Sequence, residues 1–388
     1  MANVLLTVVC VSCAILAVFY QMYLDPFLRI LGFFRTVQTF GLDDSNCKKI
    51  PGVQACEKIV LHQPTGILYL ACTSQESRVN WSPATEKFNA QGRSANDYVA
   101  MFDPATLKVT RMEFENFESD QPISVHGMDI VPSATNAREL YVYLVNHRAP
   151  PAGQDVTVVG ADSVIEVFKG TVFGKRLTHI QTIRDPTIIT PNDVAGQGDG
   201  KGFFFTNDHG TKTGFARNLN GFFPTTSVGY CHVDRGCKIA ASSLLSSNGI
   251  VKASNDTIYV ASTLGAKITV FERQADDSLL LTDVIPVGQA LDNLSLDSDG
   301  VVWAAGFPKP SDMVEHMKKP KHLSPTSAFK IYINTGPNSF YGEKYKVEKV
   351  LEDDGKMVSG STSVVHDSER KRLFLHGTAA SYLTTCNI

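Results

Sequence analysis

Two histidines, His126 and His147, stand at the ends of adjacent predicted strands. His126 lies in S-V-H-G-M-D-I, and a turn rich in Pro, Ser, Thr and Asn separates it from the run L-Y-V-Y-L-V-N-H, which ends at His147. This apolar, β-prone run predicts a buried strand, and the turn folds it back beside the His126 segment. Because imidazole titrates near neutral pH, the pair is a candidate general base with its relay. On this stretch alone, two unrelated histidines at strand ends are the simpler interpretation.

Further along the chain, four short motifs place oxygen-bearing side chains beside apolar β runs. They are Ala55-Cys-Glu57, Pro191-Asn-Asp193, Ser247-Asn-Gly249 and Leu291-Asp-Asn-Leu294. Each alone is an ordinary turn, but an isolated amide or carboxylate is costly to bury. Together they form an all-oxygen cage, which is the ligand set that calcium prefers.

The elements that must position these residues are short strands. A turn followed by a compact apolar strand recurs six times at uneven spacing, at 64–72, 136–146, 198–207, 254–262, 297–305 and 367–376. Six related β units without a helical half predict an all-β fold, a six-bladed β-propeller over residues 46–388 with an N-terminal hydrophobic anchor helix. A pair of β-sandwiches is the alternative.

The N-terminus and the overall charge bear on location and partners. Residues 1–24 carry no acidic or basic side chain before Asp25, and we interpret them as a retained signal-anchor or transmembrane segment. Residues 25–45 read as an amphipathic linker able to contact a membrane or lipid surface. Both features indicate the secretory pathway, with the protein anchored in the endoplasmic reticulum or cell-surface membrane, or secreted with its N-terminus retained. A net charge of −3 gives no basic field for nucleic acid.

Cysteine and sequon usage agrees with that location. Two cysteines lie in the apolar segment, and six, an even number, lie beyond it, as expected in an oxidising compartment. Asn80 and Asn255 each begin an N-x-S/T sequon and are candidate glycosylation sites. Asn293 also begins a sequon but belongs to one of the oxygen motifs.

From about Asn46 to the C-terminus the chain resembles the serum paraoxonase/arylesterase family of calcium-dependent lactonases. The motifs that carry the resemblance fall in family order: H-G at 126–127, L-V-N-H at 144–147, N-D at 192–193, T-N-D-H at 206–209, S-N-G-I at 247–250 and L-D-N-L-S at 291–295. The resemblance implies a six-bladed propeller with Ca²⁺ in its central tunnel and a small lactone or ester as substrate.

The resemblance also implies roles for individual residues. A catalytic calcium is expected on Glu57, Asn192, Asn248, Asp292 and Asn293, so Asn293 should be buried and unglycosylated. His126 is expected nearest the substrate with His147 behind it, and Asp292 is an alternative base or nucleophile. The family's covalent closure corresponds to Cys47 with Cys386. We further expect Cys56–Cys72 between neighbouring strands and Cys231–Cys237 across a small loop.

One position departs from the family pattern. The family's second, structural calcium corresponds here to Asp193 and Met128, but the acidic residue that follows the calcium-binding Glu is replaced by Lys58. An ammonium group cannot ligate a cation and repels it. We therefore expect Lys58 to pair with Asp193 in place of that ion, leaving one calcium per chain, or else to point to solvent.

Two other functions compete with this interpretation. One is a propeller enzyme similar to gluconolactonase or strictosidine synthase, which would share the fold but lack the paired H-G and N-H motifs. The other is a non-catalytic, membrane-anchored propeller that binds a partner or a lipid. No G-x-S-x-G motif occurs, so a serine mechanism of the α/β-hydrolase type has no support.

Overall fold

A computed structural model describes residues 2–42, 45–219, 221–337, 339 and 342–388; the rest, including residues 1, 43 and 44 of the predicted anchor and linker, lie outside the described residues. Six antiparallel sheets form the six blades of a β-propeller, as the repeat count predicts. The first strands of successive blades contact one another in a closed ring around the central tunnel.

Blades one to three follow in chain order. Blade one consists of Cys56–His62, Ile67–Cys72, Tyr98–Asp103 and Lys108–Arg111. Blade two consists of Val125–Pro132, Glu139–Arg148, Asp162–Thr171 and Arg176–Ile183, with Glu113–Glu115 pairing in parallel at its outer edge. Blade three consists of Pro191–Gly196, Gly202–Asn207, Thr226–His232 and Gly236–Leu244.

Blades four to six complete the circle. Blade four consists of Ser247–Lys252, Thr257–Ser262, Lys267–Arg273 and Leu279–Pro286. Blade five consists of Ala290–Leu296, Val302–Phe307, Thr326–Ile333 and Tyr345–Asp353. Blade six joins Ser363–Asp367, Arg372–His376 and Leu383–Asn387 to the N-terminal strand Cys47–Ile50. Each of the six predicted repeats supplies the second strand of one blade.

Apolar side chains explain why those second strands are buried. Phe203, Phe204 and Phe205 of blade three are fully buried, and so are Leu68, Tyr69 and Leu70 of blade one. A strand that is apolar on both faces packs between neighbouring blades, so the core is a set of layers between sheets rather than one central cluster.

Three disulfides reinforce the sheets, and their pairings are those expected from the sequence. Cys47 joins Cys386 across the closure of blade six, Cys56 joins Cys72 in blade one, and Cys231 joins Cys237 in blade three. In the chain-entropy model, a bridge that spans nearly the whole domain stabilises by roughly 5 kcal/mol. The closure therefore holds the first and last strands of the propeller together.

Helices lie outside the blades. The N-terminal segment is helical from Ala2–Phe19 through a π-helical stretch at Tyr20–Leu24 to Asp25–Ile30. By length and composition, Val4–Ile30 is apolar enough to cross a membrane, and an 18-residue window within it has a mean hydropathy of 2.3 and no buried residue. Shorter helices and a hairpin occur in the loops: Gln75–Asn80, Pro83–Thr85, Ala90–Gly92, Val156–Val159, Phe215–Leu219, Pro310–Lys318 and the strands Trp81–Ser82 and Lys87–Phe88.

Candidate functional site

β-Bulges position the candidate site residues at the start of the innermost strands. In blades one to five, the pairing register between the first two strands shifts by one residue, with the extra residue on the inner strand. A bulge bends the strand and re-aims a side chain. The shifts bracket, in blade order, Glu57, the His126–Gly127 pair, Asn192–Asp193, Asn248–Gly249 and Asp292–Asn293.

Glycine allows neighbouring bulges to approach closely. A Cβ on Gly127 would lie 2.2 Å from the carbonyl oxygen of Asn192, and a Cβ on Gly249 would lie 2.5 Å from the Cα of Asn293. Any larger residue would push adjacent strands apart. The H-G and N-G dipeptides of the sequence therefore mark contacts between blades.

Five oxygen-bearing residues come together at one end of the tunnel; we call them the oxygen cluster: Glu57, Asn192, Asn248, Asp292 and Asn293. Asn293 donates from Nδ2 to Glu57 Oε1 at 2.6 Å, and Asn248 hydrogen-bonds Asp292. All five are buried or nearly so, and Asn293 is 1% exposed, as expected for a sequon that faces inward.

Oxygen atoms of the cluster are left without hydrogen-bond partners. Among the described residues, Glu57 Oε2 and Oδ1 of each of Asn192, Asn248 and Asn293 are buried and have no partner. Burial raises the pKa of Asp292 well above its ordinary value, and the Glu57 carboxylate adds to the shift. Within the described part of the chain, no group of three His, Cys, Asp or Glu side chains forms a metal site. The cluster differs from such a group because three of its five members are amides.

His126 and His147 lie beside the oxygen cluster on paired strands of blade two. Their ring centroids are 5.1 Å apart, and His126 Nε2 is 3.5 Å from Asn192 Nδ2. His147 Nδ1 is 2.8 Å from Ser163 Oγ, while its Nε2 is buried and unpartnered among the described residues. Burial lowers the pKa of both rings, with that of His126 falling to about 3, so both imidazoles are neutral at physiological pH.

A cavity of about 430 Å³ opens above these residues. Its floor carries His126 and four members of the oxygen cluster, and its walls are apolar, with Phe307 and Met313 among them. His147 lies behind His126 and instead lines a smaller neighbouring cavity with Ser163 and Asp208. The cavity therefore has a polar floor and apolar walls, which suits a ligand with one polar group and an otherwise apolar surface.

Comparison with known proteins identifies the family. The sequence profile of the family described as Arylesterase matches residues 45–388. The chain belongs to the arylesterase family.

Curated relatives of this family member carry paraoxonase names. The chain is 27% identical to rat serum paraoxonase/arylesterase 2 over 60% of its length, and 26% identical to human serum paraoxonase/lactonase 3 over 62%. Those matches span only 61% and 63% of the two relatives. A longer match, at 22% identity, covers 87% of this chain and 90% of mouse serum paraoxonase/lactonase 3.

Solved propellers are more distant. A luciferin-regenerating enzyme aligns with 87% of this chain and 94% of its own at 14% identity and a TM-score of 0.48. Virginiamycin B lyase from Staphylococcus aureus aligns with 88% of this chain and 99% of its own at 10% identity and a TM-score of 0.44.

A second buried cluster lies next to the oxygen cluster. Lys58 Nζ is 2.5 Å from Asp193 Oδ2 and donates to Leu294 O at 3.1 Å, and both side chains are buried. The same Asp193 oxygen accepts from the backbone N–H of Ile250 at 3.0 Å. The predicted pairing is confirmed, and the solvent-facing alternative for Lys58 is wrong. Met128, the other position of the doubtful second metal site, is fully buried in the core.

Two charged residues beside His126 were not predicted from the sequence. Arg78, 2% exposed, donates to the carbonyl of Val125 at 3.2 Å and approaches His126 Nδ1 to 3.5 Å. Asp97 accepts from the Val125 N–H at 3.1 Å, and burial raises the pKa of this carboxyl to about 6. Both come from the 75–97 loop, whose sequence carries no recognisable motif. The charges of Arg78 and Asp97, in a loop next to the predicted site, were the only sequence signal that they have a role.

Asp208, within the T-N-D-H motif, is a third such residue. Its carboxylate is 2.7 Å from His209 Nδ1 and accepts from Asn192 Nδ2 at 3.4 Å. Burial acts to raise the pKa of Asp208, but His209 and Arg217 outweigh it and hold the pKa below its ordinary value. Asp208 is therefore an anion that lines the cavity beside a member of the oxygen cluster.

The two glycosylation candidates differ in their surroundings. Asn255 is exposed in the turn between the first two strands of blade four. Asn80 ends the helix Gln75–Asn80 and is half-buried, and its Nδ2 donates to Glu76 O at 2.9 Å. Attachment of a glycan to Asn255 therefore disturbs fewer contacts than attachment to Asn80.

Proposed function

We propose that this member of the arylesterase family is a calcium-dependent hydrolase of lactones and aryl esters. One observation carries the proposal: buried, unpartnered oxygens of the oxygen cluster meet His126 at the floor of an apolar cavity. Desolvated oxygens without a partner are costly, and a hard cation that takes about six to eight oxygen ligands relieves that cost.

The residues present fit calcium. Glu57, Asn192, Asn248, Asp292 and Asn293 would hold the ion, and two carboxylates against three neutral amides match its charge. When bound, calcium supplies electrophilic polarisation of the substrate carbonyl and stabilises the oxyanion that develops on attack. The pKa of Asp292 is raised because its carboxyl group is buried close to the Glu57 carboxylate.

His126 would act as the general base. Its lowered pKa keeps the imidazole neutral and able to take a proton from water, and it lines the cavity where the substrate sits. The Arg78 contact to Nδ1 is at the long limit for a hydrogen bond and leaves the tautomer of the ring open. His147, oriented by Ser163, offers an unpartnered Nε2 behind His126 as the next proton acceptor.

Asp292 is the alternative base or nucleophile. It lines the cavity and belongs to the oxygen cluster, so its replacement would remove a metal ligand and a reacting group together. His126 is not among the expected metal ligands, so its variants separate loss of the base from loss of the metal.

The test measures hydrolysis of phenyl acetate and a panel of lactones with calcium or with a chelator. We expect calcium-dependent turnover that His126→Gln lowers by about 10²–10⁴-fold, while calcium binding measured by calorimetry is unchanged. We expect Asp292→Ala to lose both properties, and His147→Gln to lose less turnover than His126→Gln. Full turnover in His126→Gln would transfer the role of base to Asp292. No calcium-dependent hydrolysis of any substrate would favour a binding propeller.

We also propose that the N-terminal helix holds the enzyme on a membrane of the secretory pathway. Its apolar side chains are exposed on all sides, which water disfavours and lipid accepts. Three disulfides agree with an oxidising compartment. Flotation of the full chain with liposomes, compared with a chain lacking the span Val4–Ile30, tests the anchoring.

A further inference from the structure

The segment that follows the apolar helix is bound to the propeller at two points. Arg35 donates from Nη1 to Pro308 O at 2.7 Å and from Nη2 to Gly288 O at 2.9 Å. Further along, Phe40 and Glu352 exchange both of their backbone hydrogen bonds, at 2.9 and 3.1 Å. Bonds at both points fix the path of the chain between them, so this segment is part of the folded domain.

Close backbone contact precedes the first of those points. Gly32 has φ +76°, and a Cβ at this position would lie 2.2 Å from Pro308 O. Glycine is the residue that tolerates both the left-handed conformation and the short distance. Ile30, just before it, packs against the buried cluster of Ala290, Phe307 and Met313. The segment therefore lies directly on the loop between the second and third strands of blade five, which borders the cavity.

Leu31 and Phe33 line the same cavity as His126 and Asp292. Leu31 is half-buried, whereas Phe33 is 69% exposed and stands at the cavity mouth. Helix Pro310–Lys318 adds Met313, Val314 and Met317 to the lining. The cavity therefore runs from an oxygen-rich floor to apolar walls that include the chain segment nearest the membrane anchor.

We propose that Leu31 and Phe33 are specificity-determining residues that contact the apolar chain of the substrate. The inference rests on the proposed hydrolase function, which puts the reacting carbonyl at the floor beside His126. A carbonyl held there directs an acyl chain along the walls toward Leu31 and, when it is longer, toward Phe33. Short acyl groups do not reach either residue, so the two side chains set chain-length preference without taking part in the chemistry.

The experiment compares kcat/KM for p-nitrophenyl acetate, octanoate and dodecanoate in the detergent-solubilised full chain. We expect Leu31→Ala to lower kcat/KM for the octanoate and dodecanoate esters about tenfold, since apolar contacts of this size change specificity by that order. Acetate turnover should be unchanged. Phe33→Ala should affect only dodecanoate, because Phe33 stands at the mouth. Phe34→Ala is the matched control, an exposed neighbour that lies outside the cavity lining.

Binding of unreactive amides separates this proposal from the hydrolase proposal. Calorimetry should show that Leu31→Ala weakens binding of octanamide and leaves acetamide unaffected. If the wild-type protein hydrolyses no ester but Leu31→Ala still weakens binding of octanamide and not of acetamide, the proposed contact between Leu31 and the apolar chain stands and the proposed hydrolase function fails. Equal losses for acetate and octanoate would make Leu31 merely structural and overturn the inference. A loss in Phe34→Ala equal to that in Phe33→Ala would also overturn it, because the effect would belong to the whole segment.

Discussion

Glu57 and Lys58 are neighbours on one strand, yet they enter two buried polar clusters that are neutralised in different ways. Lys58 supplies an ammonium group to Asp193, and that carboxylate oxygen also accepts from Ile250. Glu57 joins the oxygen cluster, where four oxygens lack partners among the described residues. In the Asp193 side chain, by contrast, Oδ1 is the one oxygen that lacks a partner among the described residues.

The two clusters differ in what offsets the cost of burying a carboxylate: a side chain of the protein at Asp193, and, as we propose, a bound ligand at the oxygen cluster. Burial of a carboxylate is tolerated where the chain provides its own cation. At the oxygen cluster the described residues leave four buried oxygens without a partner, and we propose that a bound cation neutralises them. Burial raises the pKa of both Asp193 and Asp292. The next largest influence on Asp193 is the Lys58 ammonium, which lowers its pKa, whereas the next largest on Asp292 is the Glu57 carboxylate, which raises it further. The comparison can be tested at either cluster.

Calcium removal should produce the largest effect, and only at the oxygen cluster. A chelator should abolish ester hydrolysis and lower Tm, because a ligand present at about 100 times its Kd stabilises the folded state by about 2.7 kcal/mol. Metal analysis should find one tightly bound calcium per chain. Asp292→Ala should lose the response of Tm to calcium. Two tightly bound ions per chain would show that the Lys58 pair does not replace a metal.

Loss of Lys58 should affect stability and not the number of bound calcium ions. Lys58→Met leaves Asp193 buried without its partner, which costs about 3–5 kcal/mol in free energy of unfolding. Urea denaturation measures the loss, and calcium stoichiometry should stay at one. The double variant Lys58→Met/Asp193→Leu is the control, since replacing both members of a buried pair with apolar residues restores much of the stability. A double variant no more stable than Lys58→Met would contradict the pairing.

Much of this architecture was predictable from local sequence. Each turn-plus-apolar-run repeat supplies the second strand of a blade, because burial of both faces demands an uninterrupted apolar run. The short distance between His126 and His147 followed from a single turn between adjacent strands. The partner of Lys58 was predicted from the family resemblance, which puts Asp193 at the site of the second calcium, and from the need of a buried carboxylate for a counter-ion.

Other features depend on contacts between distant parts of the chain. The bulges that aim the oxygen cluster inward lie on the inner strands of four blades, and only one of the four contains a glycine, so no shared residue type marks them. Arg78 reaches His126 from a loop 48 residues earlier in the chain. The docking of Leu31 and Phe33 on the cavity depends on Gly32 meeting Pro308. In each case the partners are set by propeller closure, which local patterns do not describe.

A substitution at a bulge should perturb the oxygen cluster without touching its ligands. The Cβ of Gly249→Ala would meet the backbone of Asn293 and shift both Asn248 and Asn293. Displacement of groups that orient ligands typically weakens metal binding by about 10–100-fold, and calorimetry with calcium measures this. Gly336→Ala is the control, because its nearest neighbours are 3.3 Å away and lie outside both clusters. Unchanged affinity in Gly249→Ala would mean that the ligands do not depend on the close approach.

Acidification should affect stability with opposite signs at two buried groups, His126 beside the oxygen cluster and Asp129 near the Lys58 pair. The pKa of His126 is lowered to about 3 by burial, so between that value and 6.5 the unfolded chain binds the extra proton and stability falls as pH falls. Asp129, near the Lys58 pair, has its pKa raised to about 6 by burial. Below that pH the folded chain binds the proton first, so this group adds stability on acidification. Each contributes a slope of about 1.4 kcal/mol per pH unit within its window.

Urea denaturation at pH values between 4 and 6, with a chelator present, isolates the two slopes. His126→Gln should make stability fall less steeply with acidification, because one proton-binding site of the unfolded chain is removed. Asp129→Asn should make it fall more steeply, because the folded chain loses a site that fills on acidification. The readout is the change in slope, so any overall destabilisation by either variant does not obscure it. Slopes that move in the same direction in both variants would show that the two buried groups do not affect the pH dependence of stability with opposite signs.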